Sequence, residues 1–228
     1  MIELLWQDIR LAVRGLRRTP GFTTVVVLTL ALGIGANTAV FSLVDRLILR
    51  TLPVRDPERL VMVAMTGEPL KPGAAQAWSN PFWERLRSHL DEFDGGFAYS
   101  ETDFNLAAGG EAQVVDGFWA SGAFFETLGV TASLGRTFTV ADDVRGGGPD
   151  GPVAVISHDL WQRHFGGAAD VVGKSLAIDR VPFKVIGVTP PGFSGTIVGR
   201  TFDVALPLGT ESLIVGARAS GLDQRGRA

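Results

Sequence analysis

Apolar residues are spread unevenly along the chain, and the longest uncharged run lies near the N-terminus. Residues 22–44 read FTTVVVLTLALGIGANTAVFSLV, without a formal charge. As an α-helix this run would be about 34 Å long, enough to cross the hydrocarbon layer of a membrane. Its threonines can hydrogen bond back to their own helix, whereas Asn37 would need a neighbouring helix or the headgroup region. The pattern predicts one transmembrane helix, which we assign to residues 21–48.

The segment before this run has a different periodicity. Its apolar residues follow helical spacing on one face, and its polar residues take the other. The apolar positions are Ile2, Leu5, Trp6, Ile9, Val13 and Leu16, and the polar ones are Glu3, Gln7, Arg10, Arg14 and Arg17. A basic polar face opposite a tryptophan is typical of a helix lying in the membrane interface. We predict such a helix over residues 1–20, ended by Thr19-Pro20-Gly21; a soluble amphipathic helix is the alternative.

Charge gives the predicted span an orientation. The first fifty residues carry six arginines against three acidic residues, whereas the whole chain has a net charge of -3. Four of these arginines precede the span, and Arg46 and Arg50 follow it closely. The positive-inside rule therefore predicts that the N-terminus is cytoplasmic. The helix would cross the inner membrane, and residues from about 50 onward would lie outside the cytoplasm. A cleaved signal peptide is the rival interpretation, and the weak overall charge gives no indication of nucleic-acid binding.

Downstream of residue 50 the apolar runs are short and are separated by turn residues. Alternation and β-branched runs predict strands at 60–65, 97–100, 112–118, 153–157, 174–178, 183–188 and 203–208. Helical spacing and capping residues predict helices at 81–93, 122–128 and 158–165. Short helices and strands mixed in this way favour an α+β fold for residues 49–228, and the tail from residue 210 to 228 reads as a loop.

One stretch resembles a phosphate-binding loop. Residues 166–175 read GGAADVVGKS and end in the Gly-Lys-Ser of that motif. The motif requires a first glycine where this chain has Ala168, and it must open a helix. Here a β-hairpin with its turn near Asp179-Arg180 is predicted to follow, so the stretch offers no helix N-terminus for a phosphate. We expect no ATP binding there and interpret Lys174 as a solvated residue at the start of a strand.

Catalytic groups are also sparse. Ser194 lies in GFSG, which resembles a nucleophile elbow, but Thr196 replaces its last glycine. The chain contains three histidines, at positions 89, 158 and 164, and the last two are six residues apart, a spacing that does not share a helix face well. With no cysteine in the chain, disulfides, cysteine-bound zinc and thiol nucleophiles are excluded.

The remaining candidates have ordinary structural interpretations. Asp142-Asp143 could contact calcium, but a solvated acidic loop is the simpler interpretation. Asp159 is expected to be a helix N-terminal charge, and Trp161 and Phe165, four residues apart, are expected to lie in the core. We therefore assign no catalytic, cofactor-binding or metal-binding residue and predict that the chain is not an enzyme.

Small residues recur every four positions in the predicted span. Ala31, Gly35 and Ala39 form a stripe that would let another helix approach closely. Glycine and alanine are also simply common in membrane helices, so the stripe is open to both interpretations.

Taken together, these segments resemble a known family. Residues 8–60, DIRLAVRGLRRTPGFTTVVVLTLALGIGANTAVFSLVDRLILRTLPVRDPERL, are similar to the start of MacB/FtsX-type ABC transporter permeases, especially the large orphan permeases of acidobacteria. Two further segments resemble the periplasmic core domain of that family. They are VDGFWASGAFFETLGVTASLGRTFTVADD (115–143) and GPVAVISHDLWQRHFGGAADVVGKSLAIDRVPFKVIGVTPPGFSG (151–195). The resemblance covers about residues 5–208.

The resemblance implies a permease component whose extracytoplasmic domain moves when a separate cytoplasmic ATPase hydrolyses ATP, for efflux or export. It further implies a homodimer or a pairing with another permease, a periplasmic adaptor as a possible partner, and three more spans after the domain. Because the chain ends inside the expected extracytoplasmic domain, we interpret it as a fragment, a truncated gene product or a degenerate copy of such a permease. A membrane-anchored binding or scaffold module without transport activity is the alternative.

Overall fold

The structure is a computed structural model of the 228-residue chain. It describes residues 6, 10, 14–44, 53–63, 78–106, 113–197, 199–217 and 220–222. The chain divides into two compact units, residues 1–51 and residues 52–228.

The first unit contains one long helix, α1, which spans Pro20–Val44. Residues 14–18 are also helical and Thr19 is not, so the predicted break is present. The Thr24 hydroxyl donates to the Pro20 carbonyl at 2.9 Å, which satisfies it within the helix. Pro20–Ser42 is the one helix in the described ranges that is long and apolar enough to cross a membrane. Residues 45–48 of the predicted span, and most of the predicted amphipathic face, lie outside the described residues.

The second unit is an α+β domain, as predicted. Its helices are α2 (Asn80–Arg87), α3 (Phe124–Leu128), α4 (His158–Phe165) and α5 (Glu211–Val215). Its strands are β1 (Tyr99–Leu106), β2 (Gln113–Ala120), β3 (Leu134–Gly135), β4 (Val153–Ile156), β5 (Ser175–Ile178), β6 (Val181–Val188) and β7 (Val204–Pro207). Three short 3₁₀ turns, Pro57–Arg59, Ala169–Val171 and Leu208–Thr210, complete the described elements.

The strands form one mixed sheet that closes on itself. The order is β3-β6-β4-β7-β2-β1-β5, and β5 also pairs with β6. Six strands therefore form a ring, with β3 added beside β6. The β2–β7 and β4–β6 pairs are parallel, and the other pairs are antiparallel. The ring closes at a single residue pair, Leu106 of β1 with Ile178 of β5.

Strands β4 and β7 are buried along their whole length. Successive residues alternate between two core clusters, which explains why VAVI and VALP read as continuous apolar runs. We call these clusters the α4-side core and the α3-side core after the helices that contribute to them. The α4-side core includes Phe104, Leu106, Val115, Trp119, Ala154, Ile156, Leu160, Phe183, Val204 and Leu206. The α3-side core includes Phe118, Phe124, Phe125, Leu128, Phe138, Val153, Val155, Phe193, Phe202 and Ala205.

Local sequence signals account for α3, α4 and the hairpin. The Ser157 side chain accepts a hydrogen bond from the Leu160 amide at 3.0 Å and so caps α4. Gly166 ends α4 and Gly129 ends α3, both with a positive φ. Asp179 and Arg180 both have positive φ and form the predicted two-residue turn between β5 and β6.

Four predicted elements differ from the structure. The helix predicted over 81–93 begins at Asn80 and ends at Arg87, because a hydrogen-bonded turn replaces its last part. The strand predicted at 97–100 instead runs from Tyr99 to Leu106, where it pairs with β2 along its whole length. Residues 60–63 of the strand predicted at 60–65 are not in a strand. Finally, the tail predicted as a loop contains α5.

The acidic loop after β3 is held by buried carboxylate contacts, so its interpretation as a solvated loop is wrong. Asp142 is only 3% exposed and receives two hydrogen bonds from the Arg136 guanidinium, at 2.7 and 2.8 Å. The two Asp143 oxygens accept from the Gly122 amide at 2.9 Å and the Gly209 amide at 2.6 Å. These contacts tie the loop to segments distant in sequence.

The pKa values of the two neighbouring carboxyl groups are shifted in opposite directions. The hydrogen bond from Arg136 lowers the pKa of Asp142 below its ordinary value of 3.8, although burial opposes this effect. Burial raises the pKa of Asp143, although the amides of Gly209 and Gly122 oppose it. The pairing with Arg136 therefore has the largest effect on the pKa of Asp142, and burial has the largest effect on the pKa of Asp143.

Replacing Gly135 with alanine is expected to lower the free energy of unfolding by about 3 kcal/mol. Gly135 has a φ of +69°, and a Cβ there would lie 2.1 Å from the Ile186 carbonyl oxygen. Gly146→Ala is the matched control, since its φ is +82° but no atom lies within 4 Å of its Cβ position. That control is expected to lose only about 1 kcal/mol. Urea unfolding of the full chain in detergent micelles measures both; equal losses would contradict the role of the close contact.

Asp142→Asn is expected to lower the free energy of unfolding by about 1–3 kcal/mol at neutral pH, because the charge-assisted pair with Arg136 is lost. Since the folded pKa lies below the unfolded one, the carboxylate stabilises the fold fully above the unfolded pKa. That contribution disappears as the pH falls through the lower, folded pKa. The difference in the free energy of unfolding between Asp142→Asn and the unaltered chain should therefore shrink as the pH is lowered.

Urea unfolding between about pH 7 and pH 3 measures this difference. Asp150→Asn is the control, because Asp150 contacts the same guanidinium at 2.9 Å but is exposed, so it should cost less. A difference between Asp142→Asn and the unaltered chain that stays constant over this pH range would contradict the prediction.

Candidate functional site

An open groove of about 450 Å³ lies on the α3-side face of β1 and β2. Its floor comes from the two strands, and its opposite wall is the loop formed by residues 194–197 and 199–202. We call this cavity the strand groove. It is lined by Tyr99, Glu101, Thr102, Asp103, Asp116, Gly117, Phe118, Phe124, Ser194, Gly195, Thr196, Ile197, Gly199, Arg200, Thr201 and Phe202.

Aromatic packing fixes the wall of the strand groove against its floor. The Phe118 ring on β2 lies 4.9 Å from the Phe202 ring of the loop and 5.0 Å from Phe124 of α3. Phe202 also contacts the Phe193 ring, with centroids 5.7 Å apart. These contacts bury the deep end of the groove in the α3-side core, while the end near Asp116 is exposed to solvent.

Carboxylates dominate the exposed end. Asp103 of β1 and Asp116 of β2 are directly opposite each other in the antiparallel register, and both are exposed. Like charges in such a pair repel each other and destabilise the strand pairing slightly. Glu101 lies two residues earlier on the same face and forms an ion pair with Arg200 across the groove. Within the described residues, neither aspartate forms an ion pair.

A smaller recess of about 290 Å³ adjoins the strand groove at Thr201 and Phe202. In it, the Arg163 guanidinium lies 2.5 Å from the Asp203 carboxylate. Burial raises the pKa of Asp203 above its ordinary value; Arg163 opposes this shift, whereas the carboxylates of Asp116 and Asp159 add to it. Negative charge therefore extends from the groove into the recess.

The candidate residues named from sequence do not assemble into a catalytic set. Ser194 lines the strand groove, but none of the three histidines does. The Asp159 side chain lies in the first turn of α4, as predicted, and lines the smaller recess. Among the described residues, no three acidic or histidine side chains are grouped so that they could hold a metal ion.

Two aromatic residues of α4 behave as predicted. Trp161 and Phe165 are partly buried and pack against the α4-side core. The indole nitrogen of Trp161 also donates to the Ala168 carbonyl at 2.9 Å. The rings of His158 and His164 lie against Trp161 and Phe165, respectively.

The Gly173-Lys174-Ser175 segment leads into a strand, not a helix. The Gly173 amide donates to the Val185 carbonyl at 2.7 Å, and the Lys174 amide donates to the Val171 carbonyl at 3.1 Å. The Lys174 ammonium lies 2.8 Å from the exposed Asp170 carboxylate. These amides and the ammonium are occupied within the protein, so the segment does not form a phosphate cradle.

The small-residue stripe lies on α1 at the predicted spacing. A Cβ on Gly35 would meet no atom within 4 Å, so no described helix packs at that point.

Sequence reasoning missed the strand groove, although a signal for it was present. In residues 103–106, DFNL, the polar residues Asp103 and Asn105 alternate with the apolar residues Phe104 and Leu106. That alternation predicts a longer β1 with Glu101 and Asp103 on one face. The approach of Arg200 to Glu101, 99 residues away, has no local signal.

Comparison with known proteins gives a family. The profile of the MacB-like periplasmic core domain matches residues 23–224, most of the chain. No curated protein sequence matches the chain.

Two solved structures are similar to parts of it. One is the extracellular domain of the noncanonic ABC-type transporter YknZ from Gram-positive bacteria, with 19% identity and a TM-score of 0.44, covering 59% of this chain and 66% of that structure. The other is the periplasmic region of MacB from Actinobacillus actinomycetemcomitans, with 17% identity and a TM-score of 0.42, covering 60% of this chain and 57% of that structure. The chain thus spans less than two thirds of the length of either structure.

These likenesses are distant, and the assignment depends on the profile, which extends from α1 to the end of the described domain. The chain belongs to the family of MacB-like periplasmic core domain proteins.

Proposed function

We propose that this chain is the permease-type, membrane-anchored component of a MacB-like ABC transport system that serves efflux or export. The observation that carries the proposal is the family profile, which starts at residue 23 within α1 and continues to residue 224. The profile therefore includes most of the apolar helix and the sheet domain in one family architecture. The resemblance of the separate sequence segments to permeases supports the same conclusion.

In this proposal α1 crosses the inner membrane with the N-terminus in the cytoplasm. Large apolar side chains are exposed along the helix, including Phe22, Leu28, Leu32 and Phe41. Exposed apolar surface of this extent favours lipid as its surroundings. The four arginines before the helix favour the cytoplasmic side for the N-terminus. The boundaries 1–20, 21–48 and 49–228 describe this topology and stay a prediction.

In the proposed mechanism, ATP hydrolysis is supplied by a separate cytoplasmic ATPase, and the domain outside responds by moving. The sheet suits this task, because its hydrogen-bonded strands resist internal deformation. A displacement applied near α1 would then be transmitted to the domain as a rigid-body movement. A second permease subunit along the small-residue stripe and a periplasmic adaptor are further partners in this proposal.

Single cysteines test the topology, since the chain contains none of its own. Asp91 and Gly15 are both exposed, one in the domain and the other before α1. In cells whose outer membrane has been permeabilised and whose inner membrane is intact, a membrane-impermeant maleimide is expected to label Asp91→Cys. It should label Gly15→Cys only after the inner membrane is opened. The reverse pattern would overturn the orientation, and labelling of both sites while the inner membrane is intact would overturn the inner-membrane span.

ATP-driven coupling is tested with the same Asp91→Cys chain in right-side-out vesicles prepared from its native host. Vesicles loaded with ATP are expected to differ from vesicles loaded with ADP in the rate of maleimide labelling, because the domain changes its exposure during the cycle. Vanadate inside the vesicles should remove the difference. Equal rates under all three conditions would contradict coupling and favour the anchored scaffold.

A further inference from the structure

The strand β1 has one edge paired with β2 and another edge that faces away from it. The Ser121 amide donates to the Ala98 carbonyl just before β1 begins. Antiparallel hydrogen bonding alternates along a strand, so Ser100, Thr102 and Phe104 also direct their backbone groups toward β2. The residues between them direct their amides and carbonyls to the opposite edge. The Asn105 carbonyl confirms this phase, because it accepts from the Asp179 amide of the β5–β6 turn at 2.8 Å.

Most of this outward edge has no strand beside it in the described part of the chain. Strand β5 pairs with β1 only at Leu106, where the ring closes. The outward backbone groups of Tyr99, Glu101 and Asp103 lie beyond that point. Such an edge is a template for an added strand, because its amides and carbonyls already have the spacing of a β-ladder.

Charge decides which strand can be added. Glu101 and Asp103 are exposed on this edge strand, and Asp116 faces Asp103 from β2. An acidic segment, including β1 of a second copy, would bring like charges together, which is unfavourable. A segment carrying lysine or arginine at alternate positions would instead neutralise these carboxylates.

The strand groove provides space for the side chains of such a segment. It lies on the same face as Glu101 and Asp103, and its volume of about 450 Å³ exceeds that of one side chain. An added strand directs every second side chain to that face. Alternate basic side chains would therefore reach the exposed, acidic end of the groove, and Arg200 would compete with them for Glu101.

We propose that the outward edge of β1 binds an extended basic peptide segment by strand addition, with alternate side chains of that segment in the strand groove. Backbone hydrogen bonds supply the affinity, and the three carboxylates select a cationic partner. This interaction needs neither ATP hydrolysis nor transport, so it goes beyond the proposed function.

The test uses the full chain in nanodiscs of zwitterionic lipid and a fluorescent, end-blocked peptide of alternating lysine and valine, equal in length to β1. Saturable binding is expected by fluorescence anisotropy, with empty nanodiscs as the blank. A peptide methylated on alternate backbone nitrogens keeps its charges but cannot complete the ladder. It should bind more than about tenfold more weakly. A peptide of alternating glutamate and valine should not bind.

Variants of the chain separate the charge from the backbone contribution. Asp103→Asn keeps the outward amide and should weaken binding about fivefold. Asp103→Pro also removes that amide but no bond to β2, so it should weaken binding further. Glu92→Gln removes an exposed carboxylate outside the groove and should change nothing. Circular dichroism of each variant checks that the fold is kept.

Two results would overturn the proposal. Equal binding of the methylated and unmethylated peptides by the unaltered chain would show attraction by charge alone, and this comparison needs no variant to fold. The absence of saturable binding of the lysine–valine peptide would exclude the edge as an acceptor. The topology and coupling experiments do not depend on either result.

Discussion

The domain depends on the burial of β4 and β7 on both faces. All eight residues of these two strands are buried, and their side chains alternate between the α4-side core and the α3-side core. A strand with two apolar faces must be covered on both, so a single exposed sheet is not a solution for this sequence. The other four strands of the ring enclose one core with them, while α3 and the loop that contains Phe193 and Phe202 cover the other.

The strand groove is a consequence of this arrangement. The loop covers β2 at Phe118, which is 4% exposed, but leaves Asp116 in solvent two residues earlier on the same face. The cover therefore ends partway along the strand, at the point where side chains change from aromatic to acidic. A cavity with an aromatic end and an acidic end results from that boundary.

Carboxylates serve two different purposes in this domain. Asp142 and Asp143 are removed from solvent, and their partners, Arg136 and the amides of Gly122 and Gly209, compensate for the lost hydration. Glu101, Asp103 and Asp116 stay in solvent, where their charge costs little. Glu101 pairs with Arg200, whereas the two aspartates form no ion pair within the described residues. The first group ties together loop segments that are distant in sequence, and the second makes one end of the strand groove acidic.

Features that depend on neighbouring residues were predictable from the sequence. The membrane-length helix α1, the capped helix α4 and the turn at Asp179-Arg180 each result from local periodicity, capping or backbone preference. Resemblance of consecutive segments also indicated the family. Because these signals lie within one stretch, no knowledge of the folded chain is needed to recognise them.

Other features were decided only by the tertiary structure. The full length of β1 depends on pairing with β2, and the helix α5 has no strong signal of its own. The partners of Asp143, at Gly122 and Gly209, lie 21 and 66 residues away. Sequence patterns predict which residues avoid water, but they do not specify which distant groups meet when the sheet closes. The buried loop carboxylates and the strand groove belong to this second class, because both arise from contacts between segments that are far apart along the chain.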